Sequence, residues 1–183
     1  MNDIRLAHLD DVPSLNALIV ESVNALSRGF YRPDEIDALI THVFGVDTQL
    51  IRDGTYFVIE QESTLVACGG WSARRTLFGG DQAKALADPR LDPASEAARI
   101  RAFFVHPSVA RRGLGRRLLV HCEAAAVAAG FRRAELMATL PGEPLYRALG
   151  YSALECVAHL LPDGQAVAFV RMGRSLPERS RRY

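Results

Sequence analysis

The sequence predicts an α/β fold on a central mixed sheet. Three observations carry that expectation. Along 183 residues, short alternating or continuous apolar runs read as six or seven strands, and stretches with apolar residues three and four apart read as about four helices. The segment IRAFFVHPSVARRGLGRRLL, residues 100–119, passes from an apolar strand through a loop of arginines and glycines into an amphipathic helix, and another strand follows. A helical crossover of that kind makes the strands it joins parallel. Paired strands around short turns elsewhere signal antiparallel hairpins.

Each element follows from local pattern. Residues 4–8 alternate apolar and polar, as a half-buried first strand does. Asp10 or Asp11 then caps a helix with Pro13 in its first turn and Leu15, Leu18, Ile19, Val23 and Leu26 at helical spacing, until Arg28 and Gly29 end it. A second helix follows Pro33, with Ile36, Leu39, Ile40 and Val43 on one face. Residues 56–60 and 65–71 form an antiparallel pair around a turn at 61–64. Over 73–95 the pattern dissolves into Gly79, Gly80, Pro89, Pro93 and scattered charges, a long connection of the kind that carries function or moves.

The fourth strand covers 99–105; Pro107 stops it and holds His106 extended. The helix after the loop buries Leu118, Leu119, Cys122, Ala125, Ala126 and Ala129 and ends near Gly130. A fifth strand at 134–139 runs parallel to the fourth. A short helix at 145–150 precedes a last hairpin, 153–161 with 166–172, turning about Pro162, Asp163 and Gly164. Residues 1–176 read as one domain without repeat or linker, and 177–183 as a basic, poorly ordered tail.

Composition narrows the class. A net charge of +1 argues against a general nucleic-acid or membrane-surface binder. The start, MNDIRLAHLDD, has neither the basic region nor the apolar core of a signal peptide, and no apolar run approaches the roughly 20 residues that span a bilayer. Cys68, Cys122 and Cys156 are odd in number, lie in apolar surroundings and lack metal-ligand spacing, so they read as reduced core residues of a cytoplasmic protein that holds no metal.

The chemistry concentrates in the arginine loop. Gly113 and Gly115 let the backbone turn and approach a ligand, and the helix that begins there offers unpaired N–H groups and its positive dipole end to an anion. Arg111, Arg112, Arg116 and Arg117 surround that point with donors that fork onto a phosphate. A Walker loop is excluded because no Gly-Lys-Ser/Thr follows. The dinucleotide fingerprint fails at its third glycine, which is Leu118, although Glu135 lies about 20 residues on, where that motif has its acid. It fails in context too, since seven residues from His106 to Arg112 separate the strand from the glycines.

Downstream, Leu145, Tyr146, Arg147, Ala148, Leu149, Gly150 and Tyr151 form a short helix closed by glycine and an aromatic. With the loop, this resembles the GNAT superfamily of acyl-CoA-dependent N-acetyltransferases, whose pyrophosphate loop reads Gln/Arg-x-x-Gly-x-Gly/Ala and whose later Leu-Tyr-x-x-x-Gly-Phe segment carries a tyrosine beside the cofactor sulfur. The match is specific over residues 98–151. Two positions depart from the family pattern: Ala110 stands first in the loop motif, with Arg111 one place later, and Arg99 stands where many members carry a strand-four glutamate.

The resemblance implies a mostly antiparallel mixed sheet whose parallel fourth and fifth strands splay apart. Acetyl-CoA, the acyl donor, would pair its pantetheine amides with Phe103, Phe104 and Val105, with the N–H of Val105 or a neighbour stabilising the oxyanion. Its pyrophosphate would lie on Arg111, Arg112, Gly113, Leu114, Gly115 and Arg116. Tyr146 would donate to the departing thiolate; packing is its competing role. For the general base, Glu96, Glu135, His106 and a water chain stay open. Phe30, Tyr31 and Trp71 are candidates for an acceptor pocket, and Arg28, Arg32, Arg74 or Arg75 for meeting an acceptor carboxylate. Glu143 could greet an ammonium or serve as a helix-start acid. The expected function is direct transfer of acetyl to a primary amine of a small molecule or peptide, in the cytoplasm, with a homodimer through the last hairpin possible. A non-catalytic acyl-CoA sensor is the alternative, and a nucleotide-binding oxidoreductase a weaker one.

Overall fold

The computed structural model describes residues 4–84 and 87–177. Seven strands form one sheet in the order β1-β2-β3-β4-β5-β7-β6. Strand β1 is Ile4–Leu6; a single turn of tight helix, Leu9–Asp11, leads into α1, Val12–Leu26. Helices α2, Pro33–His42, and α3, Thr48–Arg52, precede the hairpin of β2, Tyr56–Gln61, and β3, Thr64–Ser72. Strand β4, Ala98–Val105, feeds α4, Leu114–Ala128, and β5, Arg133–Thr139. Helix α5, Glu143–Ala148, and the hairpin of β6, Ser152–Leu160, with β7, Ala166–Ser175, complete the chain.

Most elements fall where their pattern predicts, and the differences have local causes. Helix α3 was not anticipated; five residues are too few for a hydrophobic period, but Asp47 caps it by accepting from the Gln49 N–H at 3.0 Å. Asp11, expected to cap α1, accepts from the His8 N–H and pairs with Arg5 at 2.8 Å. In α4 the expected stripe is buried at Leu118, Leu119, Cys122 and Ala126, whereas Ala129 is exposed and Glu123 is buried in contact with Tyr151. Cys156 is exposed on β6, correcting its assignment to the core; only Cys68 and Cys122 are buried. Beyond Pro177, the expected basic tail lies outside the described residues.

Apolar faces explain the layering. Leu15, Leu18, Ile19 and Val23 of α1 and Leu39 of α2 pack on one face of the sheet with Tyr56, Val58 and Phe169. Leu118, Leu119, Cys122 and Ala126 of α4 cover the other, against Ile59, Ile100 and Leu136. A sheet sandwiched in this way buries both faces of its central strands, while β6 at the edge stays largely exposed.

Two features of β4 open the sheet. It runs parallel to β5, and the two pair only at Ala98 with Ala134 and Arg99 with Glu135. Against β3 its register jumps from Gly70 opposite Arg101 to Cys68 opposite Phe104, so Ala102 and Phe103 share Gly69 in a bulge. Ala102 is left-handed there, at φ 55°, and its carbonyl accepts from the Tyr56 hydroxyl at 3.2 Å, which pins the bulge. Gly69 leaves room for the bulge: a Cβ there would lie 2.8 Å from the Phe103 ring, which would have to shift.

The 73–97 connection is tied down through its described residues. Arg74 pairs with Asp53 at 2.6 Å, the Leu91 N–H donates to the Ala73 carbonyl at 2.8 Å, and the Gly80 N–H donates to the Val43 carbonyl at 2.8 Å. It thereby brings Leu77 and Phe78 to the open part of the sheet.

Candidate active site

A cleft of about 550 Å³ lies where β4 and β5 diverge, between the first turn of α4, the end of α1 and the 73–97 connection. One end is an anion-binding loop. Arg111 is left-handed at φ 66° and Gly113 at φ 85°, and α4 begins at Leu114 immediately after. Left-handed residues beside other conformations are the backbone pattern that forms anion-binding concavities, and the helix start adds its own unpaired N–H groups. Gly115 has the close-approach role: a Cβ there would stand 3.1 Å from Leu145 Cδ2 of α5. Arg111 and Arg116 line the cleft. Arg112 is exposed and does not. Leu114 is buried, so what it offers a ligand is backbone.

The middle of the cleft is the edge of β4. The Val105 N–H points to the open side and donates to Ser22 Oγ of α1 at 3.3 Å, whereas the next N–H, of His106, donates to the Val66 carbonyl of β3 at 2.8 Å. Strand alternation then turns Phe103 toward the open side with Val105, and Phe104 toward β3. Phe104 contributes its ring to the other face, edge-on to Phe44 at 5.6 Å.

Tyr146 of α5 lines the same cleft and is 8% exposed. Its ring meets Tyr151 edge-on at 5.9 Å, and among the described residues nothing hydrogen-bonds its hydroxyl. Burial pushes its phenol well above the ordinary value, so it is protonated at neutral pH.

None of the three candidate bases lines the cleft. Glu135 accepts from Arg99 at 2.7 Å and Arg171 at 2.8 Å; burial raises its carboxyl, but the Arg171 hydrogen bond and the two positive charges outweigh that and hold it low. Glu96 accepts from the Asp92 N–H at 2.8 Å. His106 lies between Glu21, 2.7 Å from Nε2, and the Ser108 hydroxyl, 2.7 Å from Nδ1.

Of the aromatic acceptor candidates, Phe30 alone lines the cleft. Tyr31 is a structural bridge, donating to the Ala168 carbonyl at 2.7 Å and accepting from the Leu140 N–H at 3.0 Å. Trp71 packs on the α4 side against Phe131, 6.0 Å between ring centres. Arg28, Arg32, Arg74 and Arg75 are engaged locally, with the Asn24 carbonyl, Asp34, Asp53 and Glu96 respectively, and Glu143 pairs with Arg147 at 2.6 Å.

Sequence reasoning missed Ser22, Phe44, Phe78 and a buried charge cluster. Arg101 of β4 lines the cleft although 3% exposed, pairs with Asp47 at 2.7 Å and donates to the Gly79 carbonyl at 2.5 Å; Lys84 also pairs with Asp47. Burial lowers the Arg101 guanidinium, against the raising effect of Asp47 and Asp88. An arginine in mid-strand reads as a solvated edge; only the Asp47 carboxylate, distant in sequence, shows otherwise. Among the described residues no three His, Cys, Asp or Glu side chains gather as metal ligands, and no helix is long and apolar enough to cross a membrane.

Comparison with known proteins bears on this geometry. The family model described as the acetyltransferase (GNAT) family matches residues 20–151. A search of curated proteins finds no match. Among solved structures, a GCN5-related N-acetyltransferase from Rhodopseudomonas palustris superposes with a TM-score of 0.72 at 17% identity, covering 96% of each chain. PaiA N-acetyltransferase from Thermoplasma acidophilum, in complex with coenzyme A, gives 0.63 at 13% identity over 96% of this chain and 99% of its own. YncA from Salmonella typhimurium, with acetyl-CoA, gives 0.63 at 16% over 98% and 96%. At such identities the likeness is one of fold.

Proposed function

The chain belongs to the acetyltransferase (GNAT) family and is an acyltransferase, and from that premise we propose that it moves the acetyl group of acetyl-CoA to a primary amine of a small molecule or peptide, by direct attack in a ternary complex. One observation carries the reading: a single cleft gathers the anion-binding loop at 111–116, the open edge of β4 and Tyr146.

The residues suit acetyl-CoA along its length. The left-handed loop and the first turn of α4 fit a pyrophosphate, with Arg111 and Arg116 as counter-charges. The open edge at Phe103 and Val105 fits an amide-bearing arm added like a strand. When bound, the donor supplies a thioester carbon as electrophile.

The protein's own groups then do three things. Val105, whose N–H now holds Ser22 Oγ at a long 3.3 Å, exchanges that weak bond for the thioester oxygen and stabilises the charge that develops there. Tyr146 donates a hydrogen bond to the sulfur; its raised phenol is a weaker acid than a thiol, so it stabilises the thiolate without surrendering its proton. The cleft walls align amine and thioester, which supplies rate by proximity. An N–C bond forms as the C–S bond breaks, the nitrogen gives one proton to water, and solvent protonates the thiolate. Glu96, Glu135 and His106 have no part in this scheme, in keeping with their places outside the cleft lining.

Calorimetry with acetyl-CoA, CoA and NAD, followed by free-thiol release across an amine panel, tests the reading. Binding of acetyl-CoA with amine-dependent thiol release is expected. Binding with no release for any amine would favour an acyl-CoA sensor, and NAD binding an oxidoreductase.

A further inference from the structure

The acceptor end of the cleft has a chemical character of its own. Its walls are Leu26 at the end of α1, Phe30 in the turn that follows, Phe44 after α2, Leu77 and Phe78 from the 73–97 connection, and Met137 of β5. Among the described residues that line the cleft there is no aspartate, no glutamate and no histidine. The charged groups lining the whole cleft are Arg101, Arg111 and Arg116, and of these Arg111 and Arg116 stand at the anion-loop end. Arg101 is already committed to Asp47 at 2.7 Å and to the Gly79 carbonyl, and Asp47 is 0% exposed behind it, so that carboxylate does not reach a ligand.

Phe30 and Leu26 are also 51% and 37% exposed at the cleft mouth. Large apolar side chains left bare beside a cavity mark a surface that a ligand covers. Phe78 is held in place by edge contacts with His159 at 4.9 Å and a tilted contact with Phe169 at 5.4 Å, so the pocket is preformed by packing.

Resting on the acetyltransferase reading above, we infer that the acceptor is a hydrophobic monoamine, with a ring or branched apolar body seated between Phe30, Phe44 and Phe78. A polyamine, an aminosugar or a lysine side chain in a basic peptide brings further positive charge into an apolar pocket whose lining offers it no carboxylate and whose one arginine, Arg101, is already paired with Asp47. A monoamine brings a single ammonium. Entering an apolar pocket strips its water and disfavours its charged form, so the nitrogen reaches the thioester neutral, its proton left to solvent. Desolvation thus supplies what a general base would, which agrees with the absence of an acid or imidazole from the lining.

Thiol release at fixed saturating acetyl-CoA tests this with 2-phenylethylamine, spermidine, kanamycin and the basic peptide Nα-acetyl-Lys-Lys-Lys amide. The expected result is kcat/KM for 2-phenylethylamine at least about tenfold above each of the others, the worth of burying one apolar side group. Phe30→Asp, at an exposed position that tolerates a charge, is expected to cut that preference about tenfold by weakening phenylethylamine and helping spermidine. Any of the other three acceptors matching or exceeding phenylethylamine in the native protein would overturn the inference while leaving acetyl transfer standing. Failure to bind acetyl-CoA by calorimetry would instead overturn acetyl transfer, and this inference with it.

Discussion

Arg99 and Glu135 face each other across the parallel junction of the sheet, Nη1 to Oε2 at 2.7 Å, in the register where the two strands pair. Arg99 occupies the position at which the family resemblance leads one to expect an acid, and the neighbouring strand's acid is engaged by it and by Arg171. The pair closes the end of the splay that the cleft does not use.

Glu135→Gln should lower stability at neutral pH without changing turnover. The folded carboxyl is held below its ordinary value, so its contribution is fully present above the unfolded value of about 4.3 and is lost as pH falls through the folded one. We expect the variant to lose about 1 to 3 kcal/mol at pH 7 in chemical denaturation, the gap to native protein closing below pH 4. An unchanged kcat pH profile would accompany this; an altered one would restore Glu135 as the base.

Tyr146→Phe should lower kcat about tenfold, the worth of one hydrogen bond to a developing charge, with acetyl-CoA affinity by calorimetry unchanged within twofold. Native kcat in the variant would remove the hydroxyl from the mechanism and leave packing against Tyr151 as its role.

Asp47→Ala should be among the more damaging single changes. It leaves Arg101, 3% exposed, and Lys84 without their shared carboxylate. Breaking a buried pair in this way costs about 3 to 5 kcal/mol, which in a chain of this size lowers Tm by roughly 10 °C. Adding Arg101→Met, which removes the stranded charge, should recover part of the loss in the same calorimetric scan.

Gly113→Ala separates strain from sterics. No atom lies within 4 Å of a Cβ built there, so the cost comes from φ 85° alone and should be about 1 kcal/mol in denaturation. Relaxation of that strain would turn the loop N–H groups, so CoA affinity should fall about tenfold; unchanged affinity would argue that the loop backbone does not hold the pyrophosphate.

One thiol per native chain should react with a disulfide reagent, and three after unfolding in denaturant. Cys156 is exposed, whereas burial pushes the Cys68 thiol up to about 12 and that of Cys122 higher still, leaving almost no thiolate. Fast reaction of two or more thiols in the native protein would contradict the burial of Cys68 and Cys122.

By itself the sequence determined what is local. Hydrophobic period marked the stripes of α1 and α4, the crossover made β4 and β5 parallel, and glycine and arginine spacing with LYRALGY located the anion loop and Tyr146, because backbone geometry and helix termini are set by neighbouring residues. Only the tertiary structure decided which side chains share the cleft. It turned Tyr31 and Trp71 into packing and paired Glu135 with Arg99. It set Arg101 on Asp47, hung Ser22 on the Val105 N–H and lined the acceptor end with Phe44 and Phe78. These are contacts between residues tens of positions apart, chosen by sheet order, bulge and burial, and no local pattern encodes them.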